Sequence, residues 1–251
     1  MVEYLERSGK PRLAYIYTAP RDESLPFVLF CGGYRSDMQG TKAGFLEESC
    51  RARGQGFLRF DYRGHGASAG DFMDGTIGLW FEDAKDMFAL IPPDKNVIVI
   101  GSSMGGWIML LLALAYPERV TALIGIAPAP DFTRWIESGL TPAQHEQMAR
   151  LGYVEEPNEY SPEPYRFTRA FLDEARTRFI MDAPIPFTGP VRILQGKRDT
   201  AVDWTHAGKI EKALVSADCA VTLIDDGDHS LSRPQDLALL DKSLVDLTGG
   251  I

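Results

Sequence analysis

Two rhythms of apolar residues alternate along this chain. Short, mostly apolar runs occupy residues 13–18, 26–31, 56–61, 97–100, 122–126, 191–195 and 220–224. Between several of them lie longer stretches with apolar residues at helical spacing. Runs of this length bounded by turn residues predict strands buried on both faces, and the helical spacing predicts helices that cover them. In 41–53 the spaced positions are Phe45, Leu46 and Cys50; in 76–90 they are Leu79, Trp80, Ala84, Met87 and Phe88. The nearly all-apolar run 107–115 predicts a buried helix, and 234–247 a last amphipathic one. Strands alternating with helices in this way predict an α/β protein with a mostly parallel central sheet flanked by helices.

The rhythm breaks over 128–190, where prolines and aromatics accumulate and no core strand is visible. Short helices are expected at 142–151 and 161–175. An excursion of this length after a sheet strand predicts a helical cap over the strand ends. The expected organisation is a first core segment at 1–129, a cap insertion at 130–188 and a second core segment at 189–251.

A chain of 251 residues fits one large domain, which can bury a sizeable core without disulfides or metal. Its net charge of −9 points away from nucleic acid and from anionic membranes as partners. No apolar run approaches the length of a membrane span. Residues 1–12 are polar and mixed in charge, unlike a secretory signal, so a cytoplasmic location is expected. Cys31, Cys50 and Cys219 are odd in number and widely spaced. That pattern suits buried free thiols rather than a disulfide framework or a metal site, and neither metal nor cofactor is expected.

The chemistry is concentrated in Gly101-Ser102-Ser103-Met104-Gly105-Gly106, between a strand run and a helix run. A Gly-x-Ser-x-Gly turn holds its central serine in a strained conformation, and nearly side-chain-free neighbours let strand and helix approach. Ser103 is the expected nucleophile. A serine hydroxyl is weak at neutral pH and needs a base, which in turn needs an orienting acid. Of four histidines, His229 follows a strand run within Asp225-Asp226-Gly227-Asp228-His229 and is the expected base. His65 lies in a glycine-rich loop that it is expected to organise. His145 falls in a polar helix, and His206 near a helix start. Asp199, on the loop after 191–195, is the expected acid; Asp203 competes but suits a helix cap. Asp225, Asp226 and Asp228 read as turn residues. The order Ser103, Asp199, His229 is that of the α/β hydrolases. An oxyanion hole needs two N–H donors. Met104 supplies one, and the Gly32-Gly33-Tyr34 loop the other, through Tyr34 or alternatively Gly33.

These residues, with Phe60-Asp61-Tyr62-Arg63-Gly64-His65-Gly66, resemble the α/β hydrolases with a serine nucleophile over essentially the whole chain. Further segments narrow the likeness. Gly33-Tyr34, Met38-Gln39-Gly40-Thr41-Lys42-Ala43, Pro117-Glu118-Arg119-Val120, Pro184-Ile185-Pro186 and Val202-Asp203-Trp204-Thr205-His206 resemble the palmitoyl-protein thioesterase subgroup of that family. The resemblance implies the α/β-hydrolase fold and a protein S-depalmitoylase, with a small-molecule carboxylesterase or acyl-glucuronide esterase as the alternative. The substrate is then an acyl thioester or ester, S-acylated proteins included. Segment 131–165 departs most from the subgroup. The acyl chain is expected beneath the cap, among Phe132, Trp135, Ile136, Leu140, Met148, Leu151 and Phe171.

Overall fold

The apolar runs form seven strands of an eight-stranded sheet in the computed structural model, which describes residues 1–157 and 163–249. In chain order the first half contains β1 (Glu3–Arg7), β2 (Lys10–Thr18), β3 (Phe27–Cys31), α1 (Thr41–Arg53), β4 (Phe57–Phe60), α2 (Ile77–Phe88), β5 (Val97–Ser102), α3 (Met104–Ala115) and β6 (Val120–Ile126). Then follow α4 (Thr133–Gly139), α5 (Pro142–Leu151), β7 (Tyr153–Glu156), β8 (Tyr165–Thr168), α6 (Arg169–Ala175), β9 (Val191–Gly196), α7 (Thr205–Ala213), β10 (Cys219–Ile224) and α8 (Pro234–Thr248).

The strands lie in the order β1-β2-β4-β3-β5-β6-β9-β10, parallel from β4 to β10 and antiparallel at β1 and β2. β1 was not expected. Its sequence, EYLER, has no apolar run, because an edge strand buries little. Within the central strands every residue is buried, but alternate side chains part to opposite faces, as the strand period requires. Leu29, Val97, Val99 and Leu123 pack on one face with α2 and α3. Val28, Phe30, Ile98, Ile100 and Ile124 pack on the other with α1 and α8. Each such side chain contributes roughly 1.5–3 kcal/mol relative to exposure, so two-sided cover makes this sheet a rigid platform.

α3 begins at Met104 rather than at Trp107, so the glycines of the elbow already belong to the helix. Thr76 caps α2 through its side chain, and Gly54 ends α1 with φ 80°.

The excursion after β6 is tied at its base. Asp131 accepts the Ile180 and Met181 N–H groups, each at 3.0 Å, joining its entry to its exit. Besides helices it holds an antiparallel ribbon, in which β7 pairs with β8. The helix expected over 161–175 therefore starts only at Arg169, since 165–168 is a strand. Ser161 and Pro162 lie outside the described residues. Among the described residues no helix is long and apolar enough to cross a membrane.

Candidate active site

Strand order reverses around β3 and β5, where open α/β sheets form a crevice at their carboxyl ends. Ser103 stands there, between β5 and α3. Its φ of 55° and ψ of −121° lie where side chains are strained, at a cost on the order of 1–3 kcal/mol. Backbone bonds hold it: Ser103 N–H donates to Ile126 O at 2.9 Å, and Ser103 O accepts from Gly106 at 2.8 Å and Ala129 at 3.0 Å. A Cβ on Gly101 would sit 2.3 Å from Gly105 O, and one on Gly105 only 2.1 Å from Cys31 O. The motif's glycines are thus a packing requirement.

The loops after β9 and β10 bring two further side chains to the serine. His229 Nε2 lies 3.0 Å from Ser103 Oγ, and His229 Nδ1 lies 2.8 Å from Asp199 Oδ2. With Nδ1–H donating to the carboxylate, Nε2 keeps a lone pair for the serine proton. The Asp199 side chain is wholly buried. Burial pushes its carboxyl up. Hydrogen bonding and charge from His229, with the Val202 N–H and the Gln195 amide, outweigh that and hold it below the usual carboxylate range. Oδ1 accepts from Ala201 at 2.9 Å and Val202 at 2.8 Å, and Oδ2 accepts from Gln195 Nε2 at 2.9 Å.

The competing groups have other partners. Asp203 accepts the Thr205 N–H at 2.8 Å, at the start of α7. Asp225 pairs with Lys197, Asp226 with Arg233, and Asp228 accepts the Leu231 N–H. His145 is exposed on α5. His206 is buried against the Trp135 ring, and burial pushes it down to about 4. Burial likewise pushes the Cys31 thiol up to about 12, so it stays protonated.

Tyr34 and Met104 line the same cavity as Ser103 and His229. Met104 opens α3, where first-turn N–H groups have no intrahelical acceptor. The Tyr34 loop is braced by the neighbouring Asp61-to-Gly66 segment. Asp61 accepts the Met38 N–H at 2.6 Å and the Ala67 N–H at 2.8 Å, clipping the two loops together. Fully buried Asp83 holds Arg63, whose carbonyl accepts from Trp80 Nε1 at 3.1 Å. His65 is buried, and its ring edge meets Phe72 and Trp80.

The cavity measures about 690 Å³. Phe132, Trp135 and Ile136 line it as expected from the sequence, joined by Tyr165 and Phe167 of β8. Leu140, Met148, Leu151 and Phe171 do not. Leu140 packs on the core past the end of α4, and Met148 is buried on the inner side of α5. Leu151 is exposed, and Phe171 is buried against Tyr34 and Trp80. Sequence reasoning also missed Lys42 in the cavity wall. Its ammonium donates to Ser230 O, and burial pushes it down to about 8 against the opposing pull of Asp228 and Asp236.

A family model described as serine aminopeptidase, S33, matches residues 23–153. The mitochondrial palmitoyl-protein thioesterase ABHD10 of Mus musculus is 36% identical over 247 residues, covering 98% of this chain and 82% of the relative. The crystal structure of a putative hydrolase from Agrobacterium vitis S4 superposes with a TM-score of 0.94 at 40% identity, covering 99% of this chain and 98% of that one. The structure of mouse alpha/beta hydrolase domain-containing protein 10 superposes with a TM-score of 0.90 at 36% identity, covering 98% of both chains.

Proposed function

This chain belongs to the α/β-hydrolase family, alongside the ABHD10 palmitoyl-protein thioesterases, and from that membership we propose a serine hydrolase of acyl thioesters and esters with S-acylated proteins as its substrate class. The observation that carries this reading is the unbroken chain of hydrogen bonds Ser103–His229–Asp199 at the wall of a cavity large enough for an acyl group. Sites that bury a small ligand measure roughly 300–1,000 Å³.

In this mechanism Ser103 Oγ attacks the acyl carbonyl as His229 Nε2 takes its proton. The N–H groups of Tyr34 and Met104 stabilise the negative oxygen of the tetrahedral intermediate. Asp199 keeps His229 in the productive tautomer and offsets the charge of the imidazolium. The imidazolium then gives its proton to the departing thiol or alcohol. Water attacks the acyl-enzyme by the same proton route in reverse, releasing the acid and the free serine. A thiolate leaves readily, so thioesters demand little of the acid step, and ester cleavage accompanies thioester cleavage. The acyl chain lies against Phe132, Trp135, Ile136, Tyr165 and Phe167.

The test is hydrolysis of p-nitrophenyl esters and acyl thioesters of increasing chain length, wild type beside Ser103→Ala. Serine-dependent rates that climb toward long acyl thioesters support the reading. Rates confined to short esters would leave a hydrolase and remove the S-acylated protein as its substrate. Turnover retained by Ser103→Ala would remove the serine mechanism.

A further inference from the structure

Two consecutive residues of the loop after β3 hold the cap by its backbone. Tyr34 Oη donates to the Arg166 carbonyl at 2.5 Å. Arg35 Nη1 donates to the Pro164 carbonyl at 2.9 Å, and its Nη2 lies 3.0 Å from Glu163 Oε2. The residues gripped are those of β8 and its approach.

β8 alternates as a strand must. Tyr165 and Phe167 face the cavity, while Arg166 points away and pairs with Glu155 of β7 at 2.9 Å. The strand therefore meets a cavity occupant with Tyr165 and Phe167, and is held by Tyr34 at Arg166 between them and by Arg35 at Pro164 and Glu163 just before them. The Tyr34 ring strengthens the link. It packs against Tyr165, Phe167, Phe171 and Phe132 on the cap side, with centroids 5.1–6.1 Å away. On the core side it meets Phe72 at 4.9 Å and Trp80 at 5.7 Å. Arg35 has a positive φ of 57°, so the backbone beside the Tyr34 peptide is held in an uncommon conformation.

We propose that Tyr34 and Arg35 are positioning residues that couple the acyl chain in the cavity to the oxyanion hole, so that chain length is read out in kcat as well as in binding. The proposal rests on the serine-hydrolase reading, in which the Tyr34 N–H faces the developing oxyanion. A chain that fills the space under Tyr165 and Phe167 fixes β8. Fixed, β8 sets the Tyr34 and Arg35 side chains, and these set the peptide groups they extend from. A short acyl group leaves the cavity face of β8 unfilled and the N–H donor less well aimed. Small misplacement of such a donor lowers the rate of the chemical step itself.

The experiment measures kcat and KM separately for p-nitrophenyl acetate, butyrate, octanoate and decanoate. It compares wild type, Tyr34→Phe, Arg35→Met and the double variant. Titration with a fluorophosphonate counts competent serines, so that partial misfolding is not read as a lower kcat. In wild type, kcat is expected to rise about tenfold from acetate to octanoate. In the double variant kcat flattens while KM still falls with chain length, because the apolar walls remain. A merely structural role would lower kcat by the same factor for every ester and leave its chain-length dependence intact, which overturns the coupling. A wild-type kcat that is flat with chain length also overturns it. Ser103→Ala is run alongside: turnover that survives there defeats the underlying mechanism, whereas serine-dependent turnover without the kcat trend defeats the coupling alone.

Discussion

His65 Nε2 accepts the backbone N–H of Arg35 at 3.2 Å, while its Nδ1 lies 3.2 Å from the Arg63 carbonyl. One ring nitrogen must accept and the other donate, so the geometry requires neutral imidazole. Burial supplies it by pushing His65 down from 6.5 to about 4. Between pH 6.5 and 4 the unfolded chain takes a proton that the native chain refuses. Stability therefore falls as pH drops through that window and levels off below it, by an amount on the order of 2–3 kcal/mol for a fully buried ring. His206 contributes in the same direction. His65→Gln retains an acceptor for Arg35 and removes the titration. Urea unfolding at pH 7 and pH 5 is expected to show the wild type losing more stability than His65→Gln, and equal losses would count against neutral His65 as the acid-sensitive brace.

Asp199 spends both carboxylate oxygens on backbone N–H groups, an amide and the His229 ring. Asp199→Asn keeps the shape but places an NH₂ where one of these donors already points. Its expected effect is a fall in kcat of about 10⁴-fold with little change in KM, since the imidazole loses its tautomer and its counter-charge. Steady-state kinetics on p-nitrophenyl butyrate would show it. A fall below tenfold would give the orienting role to another group.

Lys42 offers a test at the alkaline end. Its ammonium, pushed by burial from 10.5 down to about 8, is charged in the native chain only below that pH. Between pH 8 and 10.5 the native chain sheds the proton while the unfolded chain keeps it, so this contribution to stability rises with pH. Lys42→Met abolishes the titration. Wild type should gain on the variant from pH 8 to 10.5 by on the order of 1 kcal/mol after solvent screening. Parallel stability curves would show that Lys42 keeps an ordinary ammonium.

What could be read from the chain follows physical range. The buried strands announce themselves because both their faces are covered, which leaves local apolar runs such as Val97 to Ile100. Ser103, Asp199 and His229 were readable because each directly follows such a run, and the fold carries those loops to one edge. The ribbon of β7 and β8 was not, since four-residue strands holding Glu155, Glu156 and Arg166 are too short to separate a strand period from a helical one. That omission explains why Tyr165 and Phe167 were absent from the expected cavity wall, whereas Phe171 lies on a helix as expected but packs against Tyr34 and Trp80. Arg35 and Lys42 were equally silent, because their partners lie 129 and 188 residues away along the chain.

The contact between His229 and Ser103 spans 126 residues, a separation with consequences for biosynthesis. The ribosome delivers the chain amino end first. The elbow, β3 and the loop bearing Tyr34 are therefore made while β9 and β10 are still untranslated. A nascent chain at that stage presents its serine without a base. Asp199 and His229 reach Ser103 only once the late strands have joined the sheet, β9 at β6 and β10 at β9. The long excursion between β6 and β9 thus lengthens the chain that must be made before those two side chains can meet the serine.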